Sequence, residues 1–127
     1  MRVDILRSQL GRARGLGSAR AGSGHWWRQR LTALALVPLT LWFICAAIRL
    51  EGAGRADVVA WLHSPVPLVL MLCLIVATFL HLELGLRVVI EDYVHRDPTR
   101  MVLLLGQRAL CILLAVFCII AALELGL

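Results

Sequence analysis

Three long apolar stretches divide the chain. The first runs from Leu31 to Leu50, interrupted only by Thr32, Thr40 and Arg49. The second covers residues 65–90 and the third residues 101–127. Each holds the approximately 20 residues that a helix needs to cross the hydrocarbon layer of a bilayer. They are apolar nearly all round, as helices in lipid are, with no polar stripe to face water. Apolar–polar alternation is not sustained over the roughly ten residues of a barrel strand, and an open sheet cannot satisfy its edges in lipid. The pattern therefore predicts an all-α membrane protein with three transmembrane helices, at 31–50, 65–90 and 101–127. Pro38, Pro65 and Pro67 are expected to kink or cap these helices.

Composition strengthens that expectation. Of 127 residues, 61% are hydrophobic and 17% charged, and the mean hydropathy is +0.86. Soluble domains are about 45–50% apolar and about 25% charged. A chain this short has no core large enough to hide so much apolar surface from water. A disordered chain, a nucleic-acid-binding domain and an ordinary cytosolic enzyme are excluded. The four cysteines lie in apolar runs and form no C-x-x-C pair, so they read as small hydrophobes.

Charge sets the expected orientation. Thirteen basic residues, all arginine, face eight acidic ones, a net charge of +5. Seven of the thirteen lie in residues 1–30, opposed there only by Asp4. A basic flank beside an apolar span sets topology and meets anionic lipid more simply than it binds nucleic acid. The loop at 91–100 adds Arg96 and Arg100, whereas the loop at 51–64 holds only Arg55, with Arg49 at its edge. The positive-inside rule then puts the N-terminus and loop 91–100 in the cytoplasm, and loop 51–64 and the C-terminus outside. Trp26 and Trp27 are expected in the cytoplasmic interface and Trp61 in the outer one. About thirty mostly polar residues precede the first apolar run, unlike a signal peptide. Residues 1–24, rich in Gly, Ser, Ala and Arg, read as a flexible or partner-bound extension of a three-helix unit at 25–127.

The second span carries His81, Glu83 and Arg87 among Leu, Ile and Val. Ionisable groups at such depth cost on the order of 2.5–3.5 kcal/mol each at mid-membrane for Asp, Lys or Arg. His81 lies sixteen residues after Pro65 and nine before Ile90, roughly 24 Å from one end and 13–14 Å from the other. A neutral imidazole offers one nitrogen to a metal and a donor on the other, and haem iron is commonly held by axial His. Gly85, four residues on, would let a flat macrocycle approach the backbone. Alternatively, His81 hydrogen-bonds a neighbouring helix and Gly85 serves close packing. The functional default for intramembrane ionisable groups favours the ligand. His25, His63 and His95 sit at or beyond the span ends, so a six-coordinate iron needs its second ligand from another chain.

Further polar residues gather at the cytoplasmic end. Asp92 is eleven residues after His81, on nearly the same helix face and roughly 16–17 Å nearer the cytoplasm. Beside it, Tyr93 can donate a hydrogen bond to a carbonyl, with Asp92 orienting it or passing a proton. Taken alone, an interface-belt Tyr with a capping acid is the simpler reading. Gln29, Arg30 and Thr32 enter the first span at the same level. Arg28 and Arg30 suit haem propionates or a quinone carbonyl, and positive-inside anchoring accounts for them equally well. Glu83 and Arg87 are expected to pair at i,i+4, Gln107 and Arg108 to snorkel, and Glu124 to reach the outer interface.

Residues 25–39, HWWRQRLTALALVPL, resemble the entry to the first helix of the succinate dehydrogenase hydrophobic membrane anchor subunit family, in its alphaproteobacterial form. His81, Gly85 and Asp92-Tyr93 resemble its H-x3-G-x6-D-Y signature. The resemblance spans about residues 24–100, together with the three-helix count and orientation. It implies a multi-pass subunit of the bacterial inner membrane, bundled with a second anchor (cytochrome b) subunit. The two would hold an iron–sulfur subunit and a flavoprotein subunit at the cytoplasmic face. It implies that His81 is an axial ligand of haem b, with the partner anchor supplying the other. It also implies that Tyr93 hydrogen-bonds ubiquinone, with Asp92 nearby and Arg30 in the quinone or haem propionate region. On this reading electrons from succinate reach the quinone pool, and the chain has no catalytic site on succinate. Two other classes compete: a small structural or assembly protein with His81 as packing glue, and a proton or ion carrier using His81, Glu83 and Arg87. The long N-terminal extension departs from shorter members of the family.

Overall fold

A computed structural model describes residues 22–127. It contains four helices: α1 (Gly22–Arg49), α2 (Arg55–Leu62), α3 (Pro65–Tyr93) and α4 (Asp97–Gly126). No strand occurs among the described residues. In lipid only a helix or a closed barrel satisfies every backbone group internally, and α1, α3 and α4 are each long and apolar enough to cross a membrane. The three-span, all-α expectation holds.

Each long helix outruns its apolar stretch. The α1 helix begins at Gly22 rather than near residue 31, α3 continues to Tyr93, and α4 starts at Asp97. The apolar run marks the hydrocarbon layer, whereas backbone hydrogen bonding continues a turn or more into the interface. Residues 22–24, expected in the N-terminal extension, therefore belong to α1; residues 1–21 of that extension lie outside the described residues.

The helix ends follow local chemistry. Ser64 is extended at the N-cap of α3 and Pro65 takes a first-turn position, where its missing N–H costs nothing. Pro98 does the same for α4, and Asp97 in that first turn complements the helix dipole and pairs with Arg100 at 2.7 Å. Pro38 lies inside α1 without ending it. The loop at 51–64 contains a helix that the hydropathy pattern did not predict. Gly52 turns the chain with φ +77°, a conformation open to glycine. The N–H of Gly54 then donates to the Asp57 carboxylate at 3.0 Å and starts α2.

The central helix is α3. It packs against both α1 and α4, and α1 and α4 do not pack on each other. Short α2 closes the end where α1 finishes, against α3 and α4, and its Trp61 stacks on Trp42 of α1 with ring centroids 5.8 Å apart. Small residues line the seams. Ala46, Ala77, Cys111, Ala122 and Gly126 are buried, with only Leu62 and Leu84 as larger buried side chains. Small side chains let helix backbones approach, which is how helices associate where lipid removes the hydrophobic drive. At the outer end of α4, a Cβ on Gly126 would sit 2.6 Å from the Leu68 side chain of α3.

Candidate functional site

His81 sits near the middle of α3, half-buried against α1. Its Nδ1 lies 3.0 Å from the hydroxyl oxygen of Thr32. That hydroxyl also lies 2.9 Å from the carbonyl of Arg28 and 3.0 Å from the carbonyl of Gln29, one turn back along α1. One threonine thus joins the α1 backbone to the imidazole of α3. The other ring nitrogen, Nε2, has no protein hydrogen-bond partner among the described residues. His81 lines an open groove with Gln29, Arg30, Ala33 and Leu34 of α1.

Arg30 is the one other candidate residue that the fold brings to this groove. Its guanidinium lies over the ring of Trp26, 4.6 Å from the centroid. This cation–π contact holds the charge at the interface end of the groove. Trp26 meets Trp27 edge to face at 5.0 Å, and both rings are exposed, as interface residues are. Asp92 and Tyr93 end α3 and project from the three helices, Tyr93 with 78% of its surface exposed. Asp92 shares the His81 face of the helix by periodicity. Neither Asp92 nor Tyr93 hydrogen-bonds another side chain among the described residues.

One expectation changes. The expected Glu83–Arg87 pair does not form; Arg87 Nε donates instead to Glu91 at 2.9 Å, with both side chains nearly half exposed. Arg87 reaches toward the interface, where hydration keeps its charge cheap, and Glu91 lies one turn nearer that interface. Glu83 faces another groove, shared with Arg28 of α1 and Arg108 of α4. Gly85, in turn, faces α1. A Cβ there would meet Nε2 of Gln29 at 3.6 Å, an ordinary contact distance, so the packing of α1 does not by itself require glycine at this position.

Some of the site was invisible in sequence. Thr32 stood out only as a polar residue at the entry of α1. Its contact with His81 joins residues 49 apart, and no local spacing signals it. Buried polar atoms without partners occur at His25 Nε2, Gln29 Oε1 and Gln107 Oε1, all toward the end of the molecule where α1 and α4 begin and α3 ends. Cys111 is buried, Cys118 half-buried, and Cys45 and Cys73 lie on outer helix surfaces. No group of metal-ligating side chains occurs among the described residues.

Three apolar helices with a mid-span imidazole define a multi-pass helical membrane protein. The profile of the succinate dehydrogenase/fumarate reductase transmembrane subunit family matches residues 5–123. The chain belongs to this family, as the motifs around His25–Leu39 and His81–Tyr93 imply. It is similar to the succinate dehydrogenase hydrophobic membrane anchor subunit of Rickettsia bellii, with 32% identity over 122 residues, 95% of this chain and 97% of that one. The subunit of the same name from Paracoccus denitrificans is 32% identical over 81 residues, 64% of this chain and 63% of that one. The succinate dehydrogenase membrane anchor subunit of Reclinomonas americana is 32% identical over 96 residues, 73% of this chain and 80% of that one. No solved structure matches the chain.

Proposed function

We propose that this chain anchors a succinate dehydrogenase to the bacterial inner membrane and carries part of its haem b and ubiquinone sites. The observation behind this reading is His81: an imidazole deep in a span, tied to α1 through Nδ1, its Nε2 without a hydrogen-bond partner among the described residues, in a groove that also holds Arg30. A neutral histidine with one nitrogen hydrogen-bonded and the other open is the usual form of an axial ligand. These residues fit haem b: His81 would hold the iron through Nε2, and Arg30 would neutralise a propionate. Haem b, when bound, takes up and releases single electrons.

Tyr93 donates its phenol proton to a quinone carbonyl, and the Asp92 carboxylate beside it orients that phenol. A second histidine for the iron would come from a second anchor subunit, since His25, His63 and His95 all lie near helix ends. That subunit also covers the exposed apolar faces of α1 and α4. Iron–sulfur and flavoprotein subunits dock on the end where α3 finishes and α4 begins.

A structural reading competes on one observation, the His81–Thr32 bond, which by itself ties α1 to α3. The carrier reading is weakened because Arg87 pairs with Glu91 at the interface and does not form a row with His81 and Glu83. The test is a reduced-minus-oxidised spectrum of the purified complex. His81→Ala is expected to assemble but to lose the b-type band. An unchanged band in the assembled variant overturns the ligand assignment and leaves the packing role.

A further inference from the structure

The Thr32 hydroxyl has three polar neighbours, and its single proton decides what they are to each other. The carbonyls of Arg28 and Gln29 lie at 2.9 and 3.0 Å. A carbonyl only accepts, so either contact requires the Thr32 proton. This is the usual back-bond of a threonine inside a helix, to the carbonyl three or four residues earlier. Were the proton turned to His81 instead, the hydroxyl oxygen would face two carbonyl oxygens with nothing between them. With the proton on the α1 backbone, the 3.0 Å approach of His81 Nδ1 is a hydrogen bond only if Nδ1 carries hydrogen and donates. A neutral imidazole protonated at Nδ1 has its lone pair on Nε2, the nitrogen with no hydrogen-bond partner among the described residues.

From this geometry we infer that Thr32 is a positioning residue. Its hydroxyl, turned by the α1 backbone into an acceptor, fixes His81 in the tautomer that presents the Nε2 lone pair, and sets the ring's orientation and donor strength. The inference rests on the reading of His81 as the haem ligand and adds a residue that acts through it. A hydroxyl already donating to a carbonyl is a stronger acceptor, because hydrogen bonds in a chain polarise one another. Drawing on Nδ1–H makes the ring more basic at Nε2, which favours the ferric state of a bound iron.

The test uses the whole complex in detergent, with redox titration of the b-type band and haem retention as readouts. Thr32→Val keeps the shape and removes the acceptor. It is expected to raise the haem midpoint potential and to weaken haem retention by about tenfold, the low end for loss of a partner that orients a metal ligand. Thr32→Ser restores the hydroxyl and is expected to return both readouts to the parent values. A merely structural threonine would change the stability of the complex and leave the potential where it was. A parent-like potential in Thr32→Val, or a shift of the same size in Thr32→Ser, overturns the inference. If Thr32→Val does not assemble, Thr32→Ala, which also removes the acceptor, takes its place: a raised potential supports the role and a parent potential refutes it. His81→Ala separates the two levels. A haem band retained there refutes the ligand reading itself. A band lost there, with the potential unmoved in Thr32→Val, refutes only the role of Thr32.

Discussion

An ionisable side chain in a bilayer has few places to put its charge, and the described residues show three solutions. Arg87 reaches outward to Glu91 and the hydrated interface. Arg30 lies over Trp26. His81 has one ring nitrogen against the Thr32 hydroxyl and the other without a hydrogen-bond partner among the described residues. Only the last leaves a ring nitrogen unused at depth, and the proposed function rests on it. Tyr93 is different. It is 78% exposed, so its role depends on what binds beside it. Tyr93→Phe removes one donor and little volume. A neutral hydrogen bond is worth about 1 kcal/mol, so quinone reduction is expected to slow by about fivefold. Succinate oxidation with an artificial acceptor should keep its rate. Equal quinone rates in variant and parent would remove Tyr93 from the site. At this scale the sequence was informative about depth and poor about partners. Counting residues placed His81 in mid-span, but the same rule that paired Glu83 with Arg87 chose the wrong carboxylate. Spacing alone does not say which side of Arg87 is wet.

The element that organises the molecule is α3, packed between α1 and α4. Its seams are made of small residues, and their size sets the distance between helices. Ala77 lies one turn before His81 and is buried, beside Leu31, Thr32 and Ala35 of α1. Ala77→Leu is expected to wedge α1 away from α3 and destabilise the complex by about 1–3 kcal/mol, the usual cost of overpacking. Because the seam also carries the Thr32–His81 bond, haem retention should fall in the same variant. A melting temperature and haem content equal to the parent would show that the seam is looser than its packing implies. The existence and type of the long elements were legible in the hydropathy pattern, and their ends less so. Helices continue into interfacial residues such as Gln29 and Glu91, which are polar and therefore silent to that pattern. Short α2 depends on the Gly54–Asp57 contact, too local a signal to stand out in a loop.

As a whole, the described residues form three long helices and one short one around almost no interior. None of the described polar or charged residues is buried, and large apolar side chains such as Leu34 and Phe117 are about 70% exposed (69% and 72%). Such a surface is stable only against lipid or other subunits, in keeping with an anchor. The arginines give the molecule a direction: Arg28, Arg30, Arg96, Arg100 and Arg108 gather where α1 begins and α3 meets α4, against Arg49 and Arg55 at the other end. A reporter enzyme active only outside the cytoplasm is expected to work when fused after Leu127 and to fail when inserted at His95. The reverse pattern would turn the proposed quinone site to the wrong face.

Sequence alone determined that this chain crosses the membrane three times, which end is basic, and that one imidazole lies deep in the second crossing. Those properties reside in run length, residue count and charge, all written along the chain. Tertiary structure decided that Thr32 meets His81, that Gly85 faces Gln29, and that Arg30 shares the His81 groove while Glu83 does not. The physical reason is that a helix apolar on every side shows no preferred face. In lipid, facing is chosen by shape and by a few polar contacts, and these exist only once the helices are packed.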